Sequence, residues 1–108
     1  MKLQIFKRPQ VLRDLEEAFV FLGENDADVA FRFLKAVETN LDLLSDHPYV
    51  GAVPRLENRK LDGIRIWPVT GFEKYLIFYF VRDEASEVIR VLSTARDIRG
   101  ILGSDQED

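Results

Sequence analysis

Three kinds of hydrophobic spacing follow one another along the chain. Leu3 and Ile5 alternate with Lys2 and Gln4, which predicts a short first strand at 2–6. From Pro9, a residue suited to the first turn of a helix, Val11, Leu12, Leu15, Ala18, Phe19 and Leu22 recur at helical spacing until Gly23. Asn25 and Asp26 can cap a second helix, whose stripe is Ala30, Phe33, Leu34, Val37, Leu41 and Leu44, and Pro48 stops it. Helices joined by so short a linker fold back as an antiparallel hairpin. The stretch from His47 to Gly63, HPYVGAVPRLENRKLDG, has two prolines, two glycines and no period, and so predicts a long surface loop. Strands follow at roughly 64–67, 74–82 and 86–94. The order strand, helix, helix, three strands gives an α+β domain, a two-helix hairpin packed on one face of a mostly antiparallel sheet.

The last hairpin raises the question of what its two faces do. If Asp83–Ser86 is a four-residue loop, Arg82 pairs with Glu87. Leu76, Phe78 and Phe80 then share an apolar face with Ile89, Val91 and Ser93, expected to lie under the helices. The other face carries Tyr75, Ile77, Tyr79 and Val81 beside Val88, Arg90, Leu92 and Thr94, with Tyr79 across from Arg90. Arg65 and Trp67 in the preceding strand point the same way. Arginines among aromatic rings over an aliphatic floor suit a protein-binding or base-stacking surface. They equally suit a second core under the long loop, with arginines stacked on aromatics. Both readings stay open on the sequence.

Charge narrows the partners. Residues 1–54 carry six basic and nine acidic side chains, 55–81 five and three, and 82–108 four and seven. A chain of net charge −4 exerts no long-range pull on nucleic acid, so direct nucleic-acid binding is not expected and any phosphate contact rests on the band from Arg55 to Lys74. One domain is expected over 1–102, followed by an acidic, frayed tail at 103–108. The longest apolar run, Tyr75–Val81, is too short to span a bilayer, and Arg8 and Pro9 interrupt the N-terminus before a signal-peptide core, so a cytoplasmic protein is expected.

The sequence offers little catalytic chemistry. With one histidine and no cysteine it lacks a metal-ligand set, and no cofactor is expected. His47 lies where an imidazole favours a helix C-terminus, while Glu16, Glu17, Asp26 and Asp28 read as solvated or capping carboxylates. Ser45, Ser86 and Ser93 have no histidine nearby in sequence, and the glycines show no phosphate-loop spacing.

Taken in order, RFLKAVETNLDLLSDHPYVG, LDGIRIWPVTGFEKYLIFYFV and EVIRVLSTARD resemble the ParE toxins of bacterial type II toxin–antitoxin modules, within the RelE/ParE superfamily, from about Leu12 to Leu102. The resemblance implies the same two helices on a mostly antiparallel sheet. It implies a toxin that binds a protein, DNA gyrase in the characterised ParE members, and a cognate antitoxin of ParD-like, ribbon-helix-helix type. RelE-type relatives instead cleave ribosome-bound mRNA with basic residues on the sheet and often a late tyrosine. Here Tyr75 stands where an arginine is usual, Asp97 follows Arg96, and no tyrosine comes after Tyr79. Ser93–Thr94 also replaces the His-Gly pair of the commoner ParE pattern. If phosphate chemistry were present, Arg65, Lys74, Arg90 and Arg96 would stabilise the charged intermediate. The candidate target-binding face is Arg65, Trp67, Lys74, Tyr75, Tyr79, Arg90 and Arg96.

A candidate antitoxin surface comes from residues that miss the helical stripes. Val20 and Phe21 lie more than about 100° from the stripe centre at Leu15, and Phe31 and Leu43 similarly far from Val37. A helix hairpin lying on a sheet has no use for large apolar groups there. An amphipathic antitoxin segment, a second copy of the chain, or the Tyr49–Pro54 loop could cover them.

Overall fold

The computed structural model describes residues 2–106. Strand β1 (Gln4–Lys7) leads into helices α1 (Pro9–Gly23) and α2 (Ala27–Asp46), followed by a long loop with a single 3₁₀ turn at Arg59–Leu61. Strands β2 (Arg65–Val69), β3 (Phe72–Arg82) and β4 (Ala85–Ser93) come next, then helix α3 (Ile98–Gln106). The sheet order is β1-β4-β3-β2. β2, β3 and β4 pair antiparallel through short turns, and β1 lies parallel to β4, with both helices, the long loop, β2 and β3 supplying the long crossover that a parallel pair needs. This is the expected α+β arrangement.

The helices form where the pattern predicts, and their ends have local causes. Pro9 opens α1, the Asp26 side chain accepts from the Asp28 N–H at 3.0 Å, and α2 ends at His47, one residue before Pro48. In the last turn of α2, Ser45 O accepts from the Leu3 N–H (2.9 Å) and the Ser45 hydroxyl donates to Leu3 O, tying the residue before β1 to the helix end.

The last hairpin departs from the expected register. Its loop is the two residues Asp83–Glu84, with Asp83 at φ 46°, so that Arg82 pairs with Ala85 rather than Glu87. Asp is one of the few side chains that tolerates this left-handed conformation, which a two-residue hairpin demands. A bulge then falls between Phe78 and Tyr79: Tyr79 pairs with Val88, Phe78 with Arg90, and Ile89 is the extra residue. Tyr79 is therefore not across from Arg90.

The two faces are also covered the other way round. Ile77, Tyr79, Val88 and Val91 form one core with Val11, Ala18, Phe33, Val37, Leu41 and Leu44 of the helices, with Trp67, Tyr75 and Val81 packed against it. Phe78, Phe80, Ile89 and Leu92 form a second core with Leu61, Ile64 and Leu102. Tyr75, Ile77, Tyr79, Val81, Val88 and Trp67 share a face as expected, yet it is the face beneath the helices, and the bulge exchanges Val91 and Leu92 between the two faces. The reversal was invisible because both faces are apolar, and only the covering elements distinguish them. α3 was not anticipated. It seats Ile98, Ile101 and Leu102 on the second core, which explains a sheet apolar on both sides. It also continues to Gln106 through the start of the segment expected to fray; Glu107 and Asp108 lie outside the described residues. Two further assignments change: Leu12 is 61% exposed, and Leu43 is partly buried against the helix-side core rather than turned outward.

Glu87 joins the two ends of the chain. Its carboxylate accepts from Arg8 Nε at 3.1 Å and from Arg82 Nε at 2.9 Å. The Arg8 bond above all, with Arg82 assisting, holds its carboxyl below the usual glutamate range against the opposing effect of partial burial. A folded-state pKa that is lowered stabilises above the unfolded pKa, about 4.3, and is lost as pH falls through the folded value. Glu87→Gln should therefore lose about 0.2–1 kcal/mol at pH 7 and show a flatter acid decline than the wild type. Urea titrations at pH 7 and pH 4 measure this; identical acid declines would mean that the pair contributes nothing.

Candidate functional site

A groove of about 300 Å³ runs between α1 and the adjoining ends of β3 and β4. Asp14, Glu17, Ala18 and Phe21 form its helical wall, and Tyr75, Val91, Leu92 and Ser93 its sheet wall, with Ala95 and Arg96 at the mouth. The walls are mostly apolar. Arg96 reaches Glu17 at 3.4 Å, an exposed pair that contributes little stability and leaves the mouth easily opened. Tyr75 leans on Phe33 with ring centroids 4.8 Å apart, and burial raises its hydroxyl pKa, so the group is a neutral phenol at physiological pH.

Behind the Asp14 part of this wall lies a buried ion pair. The Asp14 carboxylate accepts from Arg90 Nε (2.8 Å), Arg90 Nη2 (2.7 Å) and the Val91 N–H (3.0 Å). The two side chains are 2% and 7% exposed. A two-point guanidinium–carboxylate contact with a backbone donor behind it is the geometry that offsets desolvating both charges. Arg90 is thus enclosed between strand and helix, where a partner cannot reach it.

Arg65 and Tyr79 serve a different end of the molecule. Tyr79 is fully buried, and its hydroxyl donates to Pro48 O (2.8 Å) while accepting from the Gly51 N–H (3.0 Å). Burial raises its pKa more than the Gly51 bond and Arg65 lower it, so it remains a donor. Arg65 Nη1 donates to Tyr49 O (3.0 Å) and Gly51 O (2.7 Å), with its guanidinium 5.1 Å over the Tyr49 ring. Ala52 and Ile66 exchange backbone hydrogen bonds at 3.0 and 2.8 Å. Gly51 is the residue this closeness requires: an added Cβ would stand 2.5 Å from the Tyr79 oxygen. Trp67 is tied down as well, donating from Nε1 to the buried Asn40 Oδ1 at 2.9 Å, an oxygen that Thr70 also reaches.

The seven residues read as one target-binding face are therefore divided. Arg65, Trp67, Tyr79 and Arg90 fasten loop and helices to the sheet. Tyr75 and Arg96 line the groove, and Lys74 is exposed, its carbonyl accepting from the Thr94 N–H. Asp14 and Asn40, the buried polar groups around which this is organised, were missed by sequence reasoning. The signal was present: each is a polar residue within an apolar helical stripe, beside Val11 and Ala18 or between Val37 and Leu44.

Of the four residues that missed the stripes, three face solvent. Val20, Phe21 and Phe31 are 59%, 66% and 62% exposed. Phe31 meets Phe19 edge to face at 5.1 Å across the helix hairpin, while Phe21 lines the groove; both exposed rings lie toward the turn that joins the two helices. Among the described residues, no helix is long and apolar enough to cross a membrane, and no group of three histidines and carboxylates could hold a metal.

Comparison with known proteins places this geometry. No curated protein sequence matches the chain. Among solved structures, it is similar to a chain described as the chromosomal ParDE toxin–antitoxin system from P. aeruginosa, with a TM-score of 0.68 at 12% identity over 85% of this chain and 96% of that one. At that identity the likeness concerns the fold. The sequence profile of the ParE toxin of the type II toxin–antitoxin system parDE matches residues 5–98, from β1 to the start of α3. With the match running through both helices, the pinned loop and all four strands, the chain belongs to the ParE toxin family.

Proposed function

We propose that this chain is the toxin of a type II module, a single cytoplasmic domain over residues 1–102 that acts by binding a protein, with DNA gyrase as its target. Its cognate antitoxin, of ParD-like ribbon-helix-helix type, silences it by laying an amphipathic segment over Phe21, Phe31 and Val20 and into the groove beside α1. One observation carries the choice of protein over nucleic acid. The four basic side chains that phosphate chemistry would need do not converge on one site: Arg90 is enclosed against Asp14, Arg65 lies under the Tyr49–Gly51 loop at the other end of the sheet, and Lys74 and Arg96 are left at the groove end, where Arg96 pairs with Glu17. A mostly apolar groove whose charges are already paired, Asp14 with Arg90 and Glu17 with Arg96, suits an apolar polypeptide segment.

The test is a reconstituted assay. Purified chain is added to gyrase and relaxed plasmid, and in parallel to translating ribosomes programmed with mRNA. Loss of supercoiling, reversed by stoichiometric antitoxin, is the expected result. Ribosome-dependent mRNA cleavage with supercoiling untouched would replace this reading with the RelE-like one.

The antitoxin surface carries its own prediction. Each phenylalanine buried on binding contributes on the order of 1.5–3 kcal/mol. The Phe21→Ser/Phe31→Ser variant should bind antitoxin at least roughly tenfold more weakly by calorimetry, while still unfolding in one cooperative transition at a melting temperature lowered only by loss of the Phe19–Phe31 contact. Wild-type affinity in that variant would remove the patch from the interface.

A further inference from the structure

We infer that the loop from Pro48 to Val53, with Arg65 beneath it, is a second docking element, gripped by a folded protein that offers an apolar socket bordered by a carboxylate. The inference rests on the reading that the chain acts by binding a protein target, and it places that contact away from the groove.

The loop is held far more firmly than its exposure requires. The Tyr79 hydroxyl, Arg65 Nη1 and the Ala52–Ile66 bridge all bind its backbone, and Gly51 lets it lie against the Tyr79 ring. Its side chains are left out: Tyr49, Val50 and Val53 are 67%, 44% and 52% exposed. A buried tyrosine and an arginine are thus committed to fixing the positions of three apolar groups that add nothing to the core. A surface presented this way loses little conformational freedom on binding, and tyrosine is an efficient anchor.

Shape and charge select the occupant. The loop backbone is already fixed by Tyr79, Arg65 and Ile66, so it suits a partner surface that is itself folded, whereas a segment that folds on binding suits the groove beside α1. Arg65 spends one nitrogen on both loop carbonyls; its Nε and Nη2 donate to no group among the described residues, beside the Tyr49 ring. That open edge of a guanidinium calls for a carboxylate on the partner. The two surfaces are also far apart. From Phe31 to Asp46, α2 runs about 22 Å at 1.5 Å per residue, with the Phe31 patch at one end and the loop beyond the other. One toxin can therefore hold an antitoxin segment and a target together.

The experiment measures dissociation constants of the wild type and three variants for purified gyrase holoenzyme and for antitoxin. Tyr49→Ser/Val50→Ser should weaken gyrase binding by at least roughly tenfold while antitoxin affinity and melting temperature stay put. Phe21→Ser/Phe31→Ser should do the reverse for antitoxin. Should Tyr49→Ser lower the melting temperature, Val50→Ser/Val53→Ser decides in its place. Unchanged gyrase affinity in the loop variant overturns the inference and leaves the proposed function standing. Loss of antitoxin affinity instead, or dissociation of a wild-type dimer seen by sedimentation, also overturns it by assigning the loop to antitoxin or to a second copy. If the wild type itself fails to bind gyrase, the proposed target falls and this inference falls with it.

Discussion

Asp14→Ala should destabilise the protein by about 3–5 kcal/mol, enough to leave a domain of this size largely unfolded at moderate temperature. The substitution takes away the carboxylate facing the buried Arg90 guanidinium and also the acceptor of the Val91 N–H. The damage exceeds the net worth of the pair, because a buried charge is then poorly compensated. Replacing both partners tells the two quantities apart: Asp14→Leu/Arg90→Met should recover much of the loss, since an apolar pair of similar size has no charge to desolvate. Urea unfolding of the two variants reads this directly. An Asp14→Ala protein within about 1 kcal/mol of the wild type would mean that the strand–helix clamp is not what holds α1 to β4.

Gly51→Ala should be the next most damaging change, by about 1–3 kcal/mol, although only one methyl group is added at a loop. That methyl would stand 2.5 Å from the Tyr79 hydroxyl oxygen, 2.9 Å from its ring and 3.0 Å from Ile66 O. The tyrosine is fully buried and cannot swing aside, so the loop must lift instead. Lifting breaks the Tyr79 bonds to Pro48 and Gly51 and stretches those from Arg65. Tyr79→Phe separates the two causes, since it removes the hydroxyl bonds and much of the clash. The double variant Gly51→Ala/Tyr79→Phe should consequently be less impaired than the sum of its parts, by thermal unfolding. Strict additivity would show that the glycine has some other role.

How much of this could be read from the chain differs by element. The helix hairpin was legible because its stripes, its cap at Asp26 and its stop at Pro48 all agree. The four residues off the stripes were legible for the same reason, and three of them are exposed; Leu43 was not, because the end of α2 is approached from a second side. The last hairpin was legible as a hairpin but not in its register. A bulge leaves no mark in an apolar run, and Asp83–Glu84 is no stronger a turn signal than the longer loop drawn around it. α3 was missed because Ile98, Ile101 and Leu102 give it a single turn of apolar spacing before an acidic end. The arginines were read by type and not by partner. Their carboxylate or carbonyl acceptors lie too far off in sequence for a local pattern to reveal, Asp14 being 76 residues from Arg90.

The place of β1 beside β4 has a consequence for how the molecule comes into being. The β1–β4 pairing that closes the sheet runs from Gln4 opposite Ala85 to Lys7 opposite Val88, and the ion pairs beside it join residues 76 and 79 positions apart, Asp14 with Arg90 and Arg8 with Glu87. Such pairings carry a large loop-closure cost and come late in folding, after local structure has formed. On a ribosome the α1–α2 hairpin emerges first with its apolar stripes uncovered, and neither the groove nor the pinned loop exists until β3 and β4 have been made. The nascent chain thus exposes the apolar stripes of its helices before the strands that cover them have been made.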